Sequence, residues 1–203
     1  MKIIIAALSL LASACVCHAG PTEVPLRVTL HDSHGFSAAS APNQRLELVL
    51  FADHTHMHFR ISNTTDQTLS LWKPYCPEGD DAIVVEFREP AHPQKVLRAT
   101  TGWCYTGGMG LPKVFGLVGH DDLIVNINFT SGMNWILPMP VPQDARLDME
   151  VRVGYRSRNL SAEELKRYST YPVGKVWEGE VVGDWQPITI LNRTGKSIEK
   201  KAP

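Results

Sequence analysis

His54, His56 and His58 stand two residues apart in the run Asp53-His54-Thr55-His56-Met57-His58. On an extended strand alternate residues share a face, so all three imidazoles would line one side. Neutral imidazole nitrogens are ligands for zinc and copper, and a row of them is the one pattern in this chain with metal chemistry in it. His31 and His34 come earlier, where a predicted strand gives way to a loop, and could fold back towards the row. Asp53 points the opposite way on the same alternation, and no cysteine is placed to complete a set. The simpler expectation is the solvated face of an edge strand, with Met57, Phe59 and Ile61 turned to the core.

Nucleophilic and phosphate-binding patterns do not hold up. Ser70-Leu71-Trp72-Lys73 and Ser197-Ile198-Glu199-Lys200 match the Ser-x-x-Lys of penicillin-recognising enzymes. That chemistry needs the serine at a helix start, with Ser-Asp-Asn and Lys-Thr-Gly partners. Neither partner occurs, Ser70 falls on a predicted strand, and Ser197 falls in the tail. Gly-x-Ser-x-Gly, His-Glu-x-x-His and the P-loop are missing from the sequence. Gly107-Gly108-Met109-Gly110 has the wrong spacing for a dinucleotide loop. The expectation is a non-catalytic protein without a cofactor; an enzyme with a site hidden from motif reading is the alternative.

Aromatic residues crowd the two cysteines beyond the N-terminus. Trp72 and Tyr75 precede Cys76, and Trp103 and Tyr105 flank Cys104. In an exported chain an even pair of cysteines reads as one disulfide, here Cys76–Cys104. It would close a loop of roughly thirty residues, worth about 3 to 4 kcal/mol in the chain-entropy account. That cross-link would gather Trp72, Tyr75, Trp103 and Tyr105 into one neighbourhood. Tryptophan and tyrosine are enriched at binding hot spots, so the four are candidate protein-binding residues. The competing expectation is a satellite cluster that shields the disulfide.

The elements that must carry these residues read as strands. Leu147, Met149, Val151, Val153 and Tyr155 alternate with Asp148, Glu150 and Arg152, and Leu123, Val125, Ile127 and Phe129 alternate with Asn126 and Asn128. Leu46, Leu48 and Leu50 do the same. Further strands are expected over 26–30, 68–72, 82–87, 114–118, 176–182 and 187–191. Asn63-Thr64-Thr65-Asp66, Pro77-Glu78-Gly79-Asp80 and Gly119-His120-Asp121-Asp122 carry turn chemistry. One segment reads as helix: Ser161-Ala162-Glu163-Glu164 is a capping box, continued by Leu165 to Tyr168. Short strands so separated predict an all-β fold, an antiparallel immunoglobulin-like β-sandwich with one short inserted helix and one disulfide.

The run from Phe59 to Leu69, Phe-Arg-Ile-Ser-Asn-Thr-Thr-Asp-Gln-Thr-Leu, resembles a recurrent pattern of exported bacterial immunoglobulin-like sandwiches, the BsuPI-type proteinase inhibitors among them. In that pattern a core strand ends in Asn-Thr/Ser-x-Asp and a hairpin returns through an apolar strand. The resemblance covers roughly residues 45–89 and implies the fold. The aromatic-cysteine segments are not part of the inhibitor pattern.

Residues 1–19 read as a signal peptide: Lys2, an apolar run from Ile3 to Leu11 too short to span a bilayer, then small residues to Ala19. Cleavage after Ala19 would release a periplasmic or secreted protein. Cleavage before Cys15, after Leu11-Ala12-Ser13-Ala14, would leave a lipid anchor on Cys15 and a membrane-tethered lipoprotein. Residues 20–193 then make a single domain, large enough to bury roughly 70% of its unfolded surface, and 194–203 a flexible tail. Twenty basic and twenty-one acidic residues leave a charge of −1, with no footprint for nucleic acid. The expected function is an extracytoplasmic protein-binding domain with a partner in the cell envelope, such as an inhibitor or immunity protein. The alternative is a periplasmic zinc- or copper-binding module using His54, His56 and His58.

Overall fold

A computed structural model of the chain describes residues 24–31, 46–50, 56–74, 77–101, 113–129, 135–167 and 174–193. The expected leader and tail, with Cys15, His34, His54, Tyr75, Cys76, Trp103, Cys104 and Tyr105, lie outside them. The described chain runs β1 (Leu26–His31), β2 (Leu46–Leu50), β3 (His56–Asn63), β4 (Leu69–Trp72), α1 (Pro77–Ala82) and β5 (Ile83–Arg88). Then come β6 (Val96–Arg98), β7 (Thr100–Thr101), β8 (Val114–Leu117), β9 (Asp122–Asn128) and β10 (Trp135–Ile136). It ends with β11 (Arg146–Ser157), α2 (Ala162–Arg167), β12 (Gly179–Val182) and β13 (Gln186–Asn192). The fold is all-β.

Two sheets do most of the work. One is antiparallel in the order β1-β3-β9. The other runs β2-β13-β11-β5-β6, with β12 also paired to β11. Strand β11 is long enough to change partner: residues 146–151 pair β13, and residues 154–157 pair β12. A short ladder, β4-β8, carries the chain between the two sheets, and β7 pairs β10.

The alternation seen in sequence becomes the core. Met57, Phe59 and Ile61 of β3, and Met149, Val151, Val153 and Tyr155 of β11, are buried and belong to one contiguous apolar cluster. The outward residues of β11 find cross-strand partners instead. Arg152 stands opposite Glu86 and Glu150 opposite Arg88, at 2.7 and 2.5 Å. The Trp185 ring lies against both guanidiniums, 4.1 and 4.5 Å from its centroid. Tyr155 joins the short ladder to the large sheet: its buried Oη accepts the Trp72 backbone N–H at 2.8 Å.

The Asn63-Thr64-Thr65-Asp66 turn has a buried hub. Asn63 is 2% exposed; its Nδ2 donates to the Gln67 and Leu117 carbonyls at 2.7 and 3.0 Å, with the Val118 carbonyl at 3.2 Å. Its Oδ1 accepts from the Thr65 N–H and hydroxyl at 3.0 and 2.8 Å. One side chain thereby locks the β3–β4 turn onto the β8–β9 turn. Gly119 allows the approach, since a Cβ there would lie 2.6 Å from the Asp66 backbone.

Four expectations are corrected. Pro77-Glu78-Gly79-Asp80 is not a turn but the start of helix α1, so the described residues hold two helices. Proline suits the first helical position, and Gly79 is required where a Cβ would lie 1.9 Å from the Lys73 carbonyl oxygen. The pairing is not wholly antiparallel, because β13 and β2 run parallel from Ile188 opposite Leu46. The strand expected over 176–182 shrinks to Gly179–Val182. The Val176 and Trp177 N–H groups bind Asn159 Oδ1 and the Ser70 carbonyl, at 2.8 and 2.7 Å, and are lost to any ladder. Strands β6, β7 and β10 carry too short an alternation to be read in advance.

Candidate functional site

Where β4 ends, β11 ends beside it and α1 closes the corner. The three enclose a cleft of about 220 Å³ lined by Trp72, Asp81, Ala82, Arg156, Ser157, Arg158 and Leu160. Trp72 is the residue the sequence singled out here. It is 2% exposed, a wall rather than a projecting ring, held by Nε1 donating to the Arg158 carbonyl at 3.1 Å. Tyr75 and Cys76 directly precede α1 in the chain.

Ser157 sits deeper. It is 6% exposed, and its Oγ is buried with no hydrogen-bond partner. Buried hydroxyls almost always find one, because leaving one unsatisfied costs about 1 to 3 kcal/mol. The flanking arginines are engaged. Arg156 binds Glu180 at 2.6 Å, which raises its own pKa and holds the Glu180 carboxyl below its usual range. Arg158 forks onto Glu164 at 2.8 and 2.6 Å.

Glu164 also completes the capping box expected from sequence. Its Oε2 accepts the Ser161 N–H at 2.8 Å, and its own N–H reaches Ser161 Oγ at 3.2 Å. Arg158 first and Ser161 second hold this carboxyl well below the ordinary carboxylate range. Arg158 thus ties the cap of α2 to the lining of the cleft.

Of the histidine row, only His56 and His58 lie among the described residues. His56 and His58 take the outward positions of β3, with ring centroids 6.3 Å apart, while Met57 and Phe59 are buried. His58 Nδ1 is hydrogen-bonded to Asn126 Oδ1 on β9. His31 is the register partner of His58 across β1 and β3. Among the described residues, no group of three His, Cys, Asp or Glu side chains is arranged to hold a metal ion. Ser70 of the Ser-x-x-Lys match is on β4, as expected, and its carbonyl binds the Trp177 N–H.

Compared with known proteins, the chain matches no family model and no curated relative. Among the described residues no helix is long and apolar enough to cross a membrane.

Motif reading missed Asp81, Arg156, Ser157, Arg158 and Leu160. One signal was there. Ser157 continues the inward phase of Met149, Val151, Val153 and Tyr155, a polar residue where the alternation calls for an apolar one.

Proposed function

We propose that this protein is a non-catalytic extracytoplasmic binding domain, an immunoglobulin-like sandwich that uses the cleft at Trp72 and Ser157 to hold a protein partner of the cell envelope. The observation that carries the proposal is the cleft itself, about 220 Å³ where Trp72, Ser157 and Leu160 come together at the ends of β4 and β11. Among the described residues the lining contains no imidazole to activate the Ser157 hydroxyl, which favours recognition over acyl transfer. Tyr75, Trp103 and Tyr105 extend the contact surface around it, drawn in by a Cys76–Cys104 disulfide. An inhibitor or immunity protein of the periplasm fits this description. The signal peptide delivers it, either released after Ala19 or lipid-anchored through Cys15.

A photo-crosslinking residue at Leu160, on the cleft rim, should capture a partner that the same residue at exposed Val96 on β6 does not. The capture should vanish when Ser157→Trp fills the cleft. Equal capture from both positions, or none from Leu160, overturns the proposal. Thiol labelling of the exported protein tests the cross-link, and two freely reactive cysteines would refute it.

A second reading has its own observation. His56 and His58 lie together, His58 is hydrogen-bonded to Asn126, and His31 is the register partner of His58 on β1. Zinc or copper bound there, with His54 as a further candidate ligand, would make the protein a periplasmic metal-binding module. Calorimetry with each ion should show saturable binding that the double change His56→Ala and His58→Ala removes. No heat from either ion eliminates it.

A further inference from the structure

We infer that the outer edge of β9 pairs with β9 of a second copy of this chain, joining two three-stranded sheets across a two-fold axis. The cleft takes no part in it.

Backbone parity decides which groups are free. In an antiparallel ladder the N–H and C=O of one residue point to the same side, and successive residues alternate. The Thr64 N–H donates to the Pro25 carbonyl at 2.9 Å, and the Asn63 N–H donates to the Asp121 carbonyl at 3.0 Å. Along β3 the even-numbered residues therefore turn to β1 and the odd-numbered ones to β9. With Ile61 opposite Leu123, the β9 residues that answer β3 are Leu123, Val125 and Ile127. The main-chain groups of Ile124 and Asn126 point the other way, where β9 has no neighbouring strand among the described residues.

The two edges of this sheet are finished differently. On β1 the same parity sends the main-chain groups of Leu26, Val28 and Leu30 outward, yet all three residues are buried. Gly183, just beyond β12, packs against that edge: a Cβ on it would lie 2.8 Å from the Val28 carbonyl oxygen. On β9, by contrast, Asn126 is exposed and Ile124 half-buried. Sheets commonly protect an open edge with lysine, proline, a bulge or an inward-pointing charge. Strand β9, Asp-Leu-Ile-Val-Asn-Ile-Asn, has none of them, and its ladder with β3 runs without a break.

The strand also complements itself. In an antiparallel pairing centred on Val125, Ile124 of each copy faces Asn126 of the other, and the two exchange both main-chain hydrogen bonds. Leu123 then faces Ile127, and Val125 faces its own copy, so the apolar inner face continues across the axis. The one charged residue of the strand, Asp122, stands opposite neutral Asn128, far from the other Asp122. A parallel pairing would set the two carboxylates side by side, which is unfavourable. Because β1 is covered, pairing at β9 stops at a dimer instead of growing into a longer sheet. The contact is one strand wide, below the roughly 1,200 to 2,000 Å² of stable complexes, so the dimer should be weak, with a Kd of about 10 to 500 µM.

The test uses the full exported chain. Sedimentation up to about 1 mM should show a monomer–dimer equilibrium in that range. Over the same series, hydrogen exchange should slow at the Ile124 and Asn126 amides and change little at Leu123 and Val125, which β3 already holds. Ile124→Pro removes an N–H that no strand of the monomer uses, a position where an edge strand tolerates proline. Ile124→Lys supplies the missing protective charge and leaves the backbone intact, should the proline variant fail to fold. Each should weaken association at least about tenfold.

A chain that stays monomeric at about 1 mM, protection gained away from β9, or a dimer that survives both substitutions would overturn the inference. So would a photo-crosslinking residue at Asn126 that joins a different envelope protein and never a second copy, since the edge would then dock a partner's strand.

Discussion

The two ends of strand β4 bury polar side chains in opposite ways. Before its first residue, Asn63 is 2% exposed and every polar atom of its amide is used, on Gln67, Leu117, Val118 and Thr65. Beyond its last residue, Ser157 is 6% exposed and its hydroxyl is used by nothing. Both positions have the same phase, inward on a strand that is otherwise apolar. A satisfied buried amide is a rivet between turns. An unsatisfied buried hydroxyl lowers stability. The closed end therefore reads as structure, and the other end is where the binding role is proposed.

The largest test of that contrast is Asn63→Ala. It strips partners from several buried backbone groups at once and should destabilise the protein by about 3 kcal/mol in urea unfolding. A loss under about 1 kcal/mol would mean that water replaces the amide and the rivet is not one. Gly119→Ala attacks the same end by crowding. With Cβ 2.6 Å from the Asp66 backbone, the turn must shift, at about 2 kcal/mol.

Ser157→Ala should have the opposite sign. Removing an unpartnered hydroxyl is expected to leave stability unchanged or raise it by about 1 kcal/mol, read as an upward move in the urea midpoint. A clear destabilisation would show that the hydroxyl already has a partner and would erase the difference between the two ends.

The smallest effect is at the rim. Ser161→Ala removes the cap of α2 and should cost about 0.5 to 1 kcal/mol. Its partner Glu164 adds a pH dependence. A carboxyl held below its ordinary range stabilises the fold above the unfolded-state pKa, and that contribution is lost as pH falls through the acidic range toward the lowered value. Wild-type unfolding should therefore lose more stability on acidification than Glu164→Gln does, and parallel profiles would refute the capping role.

Local pattern alone determined much of this protein. A period of two over 147–155, 123–129 and 57–61 is enough to assign strands and their buried faces, because side chains on a pleated strand have only two directions. A serine three residues before a glutamate is enough to start α2, because both partners of a capping box lie within one turn. Helix α1 defeated the same reasoning. Its proline and glycine are turn residues by local preference, and its glycine answers to a carbonyl of Lys73 that only packing brings near.

Tertiary structure decided the rest. Which strands pair, that β2 joins β13 in parallel, and that Trp72 forms a wall with its N–H on Tyr155 all depend on contacts distant in sequence. The cleft is of that kind. Asp81, Trp72 and Ser157 sit on three elements, and no spacing along the chain announces that they meet. Their types were legible one by one. A site is a relation between them, and that relation is set by the burial of apolar faces many residues apart, which folds the chain without regard to the polar groups it gathers at its edges.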